Sequence, residues 1–177
     1  MSNNDASKDE NLPKYAEMAG SLAQHFTNGG TLKDLFQYSN NELEAAYTLG
    51  YSLYQQEHYD EALRIFAFLV TNDHLNREYL MAFASCSQML KKYQEAIEIY
   101  TMASIMDMSD PLPTFRTAEC MIAVGMIDEA QEALNFVIEQ SKSPELMPLR
   151  QRAEAILKLL HQDNIQVNDQ TDLRVHQ

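Results

Sequence analysis

Apolar residues in this chain return every three or four positions, the period of a helix face, and the whole pattern then returns every 34 residues. Three copies of one phrase mark the longer period: Tyr59-Asp60-Glu61-Ala62, Tyr93-Gln94-Glu95-Ala96 and Ile127-Asp128-Glu129-Ala130. Four residues after each alanine stands a large residue, Phe66, Tyr100 or Leu134, and twelve before it a small one, Gly50, Ala84 or Ala118. Small residues let two helices approach closely, and the bulky one fills the space where they splay. The pattern predicts three helix pairs, at 43–76, 77–110 and 111–144, built from helices of roughly 14 residues. Pro111 and Pro113 open the third pair, in or before a first turn, where proline is tolerated.

The flanks carry the helical period too. Residues 12–42 read as a helical segment. A helix from Pro13 places Tyr15, Met18, Ala19, Leu22 and Phe26 on one face and stops at Asn28-Gly29-Gly30. Thr31 to Phe36 reads as a short second helix, and Ser39 with Glu42 makes a capping-box start for the next. At the other end, 145–161 sets Leu149, Ala153, Ile156, Leu157 and Leu160 on one face. A repeat stack needs such a cap over its apolar end, with Arg150, Arg152, Glu154 and Lys158 as its polar outer side; Pro148 leaves the start of this helix open. Residues 1–11 and 162–177 are polar and read as a disordered N-terminus and a flexible tail. A 34-residue period with small, small and bulky positions in that order identifies the tetratricopeptide repeat, a helix–turn–helix unit. The expected fold is all-α: three tandem repeats with helical flanks, curved around a concave groove.

A formal net charge of −13 narrows the partners. Phosphate binding needs a basic surface, so nucleic acid is excluded and an anionic membrane disfavoured. The longest apolar run, Ile65 to Val70, is far too short to span a bilayer. The first ten residues hold no apolar signal-peptide core, so the expected address is cytoplasmic. The histidines at 25, 58, 74, 161 and 176 are scattered, and no nucleophile elbow, zinc-protease or phosphate-loop motif is present. The expectation is a protein without catalysis, metal or cofactor. Cys86 and Cys120 are themselves one period apart, with Ser52 as their first-repeat equivalent. They read as small packed side chains with free thiols. Equivalent positions about 8–10 Å apart exceed the roughly 7 Å a disulfide tolerates.

One feature exceeds what a bare repeat needs. The first helix of the first repeat faces its partner with Ala46, Leu49, Gly50 and Leu53, yet carries a second stripe, Tyr47, Tyr51 and Tyr54. First helices of such pairs line the concave side, so this stripe points into the groove. One period on stand Met81, Ser85 and Gln88, with Met89 beside them; two periods on stand Phe115, Glu119 and Ile122. Aromatics and methionines suit a peptide-binding surface; the competing reading packs the tyrosines against the N-terminal helices. A carboxylate clamp for acidic chaperone tails would need lysines, asparagines and an arginine at Tyr47, Tyr51, Ala82, Leu112 and Arg116. Only Arg116 fits, so that reading fails. Glu119 falls on the groove face, where it meets a client donor or solvent.

Gly29-Gly30-Thr31-Leu32-Lys33-Asp34-Leu35, then Leu43, Ala46 and the tyrosine stripe, Phe68-Leu69, Asp73-His74 and Ala118-Glu119-Cys120 together resemble one family. The chain is similar, over roughly residues 20–160, to the class II chaperones of bacterial type III secretion, the LcrH/SycD and IpgC group. The resemblance implies a protein that holds hydrophobic, pore-forming translocators in the bacterial cytoplasm, binding an extended client segment in the groove. Carried over by position, Tyr47, Tyr51, Tyr54, Met81, Met89 and Phe115 are the implied contacts, while polar Ser85 and Gln88 depart from an apolar pocket. Some members dimerise through the N-terminal region, and some co-activate transcription. The expected dimer surface here is Tyr15, Met18, Leu22 and Phe26, since an exposed apolar stripe invites association. The alternative function is a repeat scaffold that binds folded subunits of a secretion or pilus assembly.

Overall fold

The computed structural model describes the backbone of residues 12–175 and the side-chain surroundings of residues 14–162. The expectation of a disordered stretch at 1–11 lies outside the described residues. Among the described residues the chain forms nine α-helices: α1 (Leu12–Thr27), α2 (Leu32–Phe36), α3 (Asn40–Gln55), α4 (Tyr59–Asn72), α5 (Arg77–Met89), α6 (Tyr93–Met106), α7 (Leu112–Ala123), α8 (Ile127–Gln140) and α9 (Met147–Val175). From α3 to α9 each helix packs on the next.

The small and bulky positions do what their sizes demand. A Cβ added to Gly50 would lie 2.8 Å from the Phe66 ring, so α3 and α4 close to a distance that only a bare backbone permits. Ala62, Ala84, Ala96, Ala118 and Ala130 are fully buried, as are Tyr100 and Leu134. Apolar clusters form around Phe66, Tyr100 and Leu134 in turn, one for each helix pair.

The turn inside each pair also repeats. Glu57, Lys91 and Gly125 all take left-handed backbone, with φ of 64°, 60° and 83°. Each is followed by the same closing bond, from His58 N–H to Leu53 O, Lys92 N–H to Ser87 O and Met126 N–H to Met121 O, at 2.9, 2.8 and 2.9 Å. These bonds satisfy carbonyls that a helix end leaves orphaned. They offset the roughly 1–2 kcal/mol that left-handed backbone costs a side-chain-bearing residue.

The N-terminal elements sit differently. The Ser39 capping box forms, its N–H donating to the Glu42 carboxylate at 2.8 Å, and α1 ends at Thr27, two residues before Gly29, where φ is 81°. α2 is tied down by Lys33 with Asp73, 3.3 Å apart, and Tyr38 meets Phe68 edge-on at 5.6 Å. α1 stands off the repeats, leaving Tyr15, Met18, Leu22 and Phe26 exposed.

At the far end Pro148 falls in the first turn of α9, after a short 3-10 turn at Pro144–Leu146. Leu149, Ala153, Ile156, Leu157 and Leu160 join the third apolar cluster. Two expectations for this end are corrected. The helix does not stop at 161 but runs to Val175, since no glycine or proline follows Pro148 to end it. Arg152 does not belong to the outer side; it turns back over the third repeat, 4.8 Å from the Phe115 ring centre. Among the described residues no helix is long and apolar enough to cross a membrane.

Candidate functional site

α3, α5 and the start of α7 enclose an open cavity of about 320 Å³ on the concave side. Tyr47, Tyr51, Tyr54, Met81 and Ser85, all expected from the stripe, line it. The tyrosines occupy one face of α3 because their spacing of four and three matches the helical turn. They do not pack against the N-terminal helices. Tyr51 is 49% exposed and stacks on Tyr47, with ring centres 6.4 Å apart. Tyr47 reaches deeper, to Phe66 at 5.8 Å and Tyr79 at 5.6 Å. Tyr54 meets Tyr59 edge-on at 5.3 Å. Burial pushes the Tyr47 and Tyr54 hydroxyls above the usual phenol pKa, so both stay neutral donors at physiological pH.

The middle repeat explains its own departure from an apolar stripe. Its bulky core residue is Tyr100, fully buried, whose hydroxyl lies 3.0 Å from Ser85 Oγ and donates to Gln88 Oε1 at 3.0 Å. A buried hydroxyl without partners is costly, so Ser85 and Gln88 serve Tyr100. Phe66 and Leu134, at the same register, make no such demand. Met89 lies at the end of α5, 47% exposed and outside the cavity.

The third repeat contributes less than its register suggested. Phe115 is fully buried with Ala118, Leu134, Val137 and Ala153, and so belongs to the core rather than the groove wall. Glu119 meets neither a client donor nor bulk solvent alone. Its carboxylate accepts from Arg116 at 2.9 Å, Arg152 at 3.2 Å and Gln88 at 3.4 Å, joining α5, α7 and α9. Ile122 packs beside the third cluster.

Six further residues line the cavity: Phe66, Ala82 and Leu112 as apolar wall, Arg77, Glu78 and Asp110 as polar rim. Ala82 and Leu112, with Tyr47 and Tyr51, are four of the five positions weighed for the carboxylate clamp, so the clamp register is concave but apolar. Arg77 was detectable as the residue that breaks its repeat: Leu43 and Pro111 hold the equivalent positions. Cys86 and Cys120 are free and buried. Desolvation pushes their thiols up to about 12 and about 11, which makes them poor nucleophiles at neutral pH.

The family model described as anaphase-promoting complex, cyclosome, subunit 3 matches residues 30–103. Low calcium response locus protein H of Yersinia pseudotuberculosis is 31% identical over 133 residues, which are 75% of this chain and 79% of that relative. A T3SS complex from Aeromonas hydrophila superposes with a TM-score of 0.77 at 29% identity, over 82% of this chain and 97% of that one. The type III secretion chaperone SycD of Yersinia enterocolitica, solved with a peptide of the translocator YopD, gives a TM-score of 0.67 at 28% identity, over 71% of this chain and 97% of that one. SycD has also been solved as an alternative dimer. Repeat register, concave cavity and relatives that match across most of their length agree: the chain belongs to the type III secretion translocator chaperones, the tetratricopeptide-repeat family of low calcium response protein H and SycD.

Proposed function

We propose that this protein is a cytoplasmic, non-enzymatic chaperone whose aromatic cavity holds an extended segment of a hydrophobic translocator and keeps it soluble before export. The observation that carries the reading is the cavity itself: about 320 Å³ walled by three tyrosines, with Tyr51 half-exposed although the repeat has no packing use for it. An extended chain with spaced apolar residues fills such a space with its side chains. Tyr47, Tyr51, Tyr54 and Met81 supply apolar contact, with the stack 43–144 as their rigid support. The exposed stripe on α1 serves a second copy.

Co-expression with a hydrophobic type III translocator tests the reading. The expected outcome is a soluble complex in which limited proteolysis leaves one short client segment protected. A translocator that stays insoluble, or a complex with no protected segment, overturns it. A chain shortened to begin at Thr31 should sediment as a monomer if α1 makes the dimer; unchanged mass removes that role.

A further inference from the structure

Arg77 departs from the register of its repeat. One period earlier stands Leu43, 1% exposed, and one period later stands Pro111, also buried. The position therefore accepts an apolar residue in the first and third pairs, where the Asp73 and Ser141 N–H groups close the helix-end carbonyls of Leu69 and Val137. In the second pair Arg77 takes the equivalent Ala103 carbonyl, a duty that uses only one of its N–H groups. In the second repeat the position carries a guanidinium, and it lines the aromatic cavity beside Tyr47, Tyr51 and Met81.

The guanidinium is held in place rather than left to swing. Its Nε–H donates to Ala103 O at 3.0 Å and its Nη2 donates to Asp110 Oδ2 at 2.6 Å, with the side chain 27% exposed. Asp110 is fixed in turn, its Oδ1 accepting the Leu112 N–H at 2.9 Å. These contacts use two of the five N–H groups that an arginine carries. The other donors in the lining are the single hydroxyls of Tyr47, Tyr51 and Tyr54, so Arg77 is its one cationic donor and the one with several N–H groups. Glu78 and Asp110 accept only, and Ser85 is engaged with Tyr100.

An extended peptide laid into the cavity brings backbone carbonyls with it, and a carbonyl buried without a donor is penalised. We propose that Arg77 is a client-binding residue that donates its remaining N–H groups to backbone carbonyls of the segment whose apolar side chains enter the tyrosine cavity. The assignment rests on the chaperone reading and adds to it a donor and a ligand chemistry. Neutral carbonyls are the matching acceptors because Asp110 already balances the guanidinium, and Glu78 on the same wall repels a client carboxylate. Pre-fixing by Asp110 and Ala103 also lowers the entropy lost when the client binds.

The test uses the full-length chain and a fluorescein-labelled peptide, the segment protected in the co-purified complex, with affinity read by anisotropy at low and high salt. Arg77→Leu, which installs the first-repeat residue, should weaken binding about tenfold to a hundredfold, the range for hydrogen bonds to a charged group. The loss should be similar at both salt concentrations, and the melting temperature, which loses one helix-end bond and one partly exposed ion pair, should fall by only a few degrees. Arg77→Lys, which keeps a charge beside Asp110 but loses the fork, should fall between the two. Unchanged affinity in Arg77→Leu overturns the proposal. So does a loss confined to low salt, which would assign a client carboxylate. A loss that tracks the melting temperature in both Arg77→Leu and Asp110→Asn would make the pair a tie between α5 and the turn that leads into α7, and overturns it too. Tyr51→Ala separates the two levels: if it also binds normally, the cavity is not the site and the chaperone reading of it fails first.

Discussion

Tyr47 and Phe115 stand two repeat lengths apart on equivalent faces of α3 and α7, yet Tyr47 borders an open cavity and Phe115 is sealed. Their own helices present them alike. What differs is what comes next along the stack. Beyond α3 lie α5 and α7, whose Met81, Ala82 and Leu112 form walls and leave a gap. Beyond α7 lies α9, which must bury the apolar end of the stack and lays Arg152 over the Phe115 ring on the way. Glu119 then ties Arg116 and Arg152 across the groove. A terminal repeat thus gives up concave positions to its cap, while an inner repeat keeps them for a ligand.

Substitutions should separate the two ends. Phe115→Ala has the largest expected effect, about 3–5 kcal/mol of stability, seen in a thermal melt as a fall of roughly 6–20 °C. A selective loss of client binding with the melt unchanged would return Phe115 to the groove. Tyr51→Ala should do the reverse, weakening client binding by about 2–4 kcal/mol, or roughly thirty- to a thousandfold, with the melting temperature nearly unmoved. Tyr47→Ala is a mixed case. Its ring touches both Phe66 and Tyr79, two aromatic pairs that together contribute about 1–3 kcal/mol, so binding and melting should both decline.

Smaller effects sharpen the contrast. Glu119→Gln weakens ties to two partly exposed arginines and should cost at most about 1 kcal/mol. Isothermal titration with client peptide should show no change in affinity, because the third-repeat end is already occupied by the protein's own side chains. The thiols should show the least response of all. With pKa values pushed up to about 12 and about 11, Cys86 and Cys120 should resist iodoacetamide in the native state and react fully in denaturant, as counted by mass spectrometry. Rapid alkylation of the native protein would mean that the second and third pairs open.

The helix pairs were legible because the packing rule repeats. A position that must be small against Phe66 must be small again one period later, so Gly50, Ala84 and Ala118 announce one architecture three times. The Ser39 cap was legible for a local reason, since both partners lie within one turn. The cavity was half legible. Tyr47, Tyr51 and Tyr54 share a helix face and can be read together, whereas Arg77 and the Asp110–Leu112 stretch come from two other places in the chain. Ser85 and Gln88 looked like a flaw in an apolar stripe until the Tyr100 hydroxyl, buried and in need of partners, accounted for them.

The sequence by itself determined the all-helical repeat, its register and the face on which each side chain emerges, because those follow from a period of 3.6 residues and from side-chain volume. Tertiary structure alone decided which of the equivalent faces stays open. Exposure at Tyr51 or Phe115 is set by whatever another segment lays over it, and that segment lies 33 residues from Glu119 in the case of Arg152. Asp110 is likewise 33 residues from the Arg77 it fixes. Helical periodicity extends only over a few turns; burial is a property of neighbours brought together by the fold.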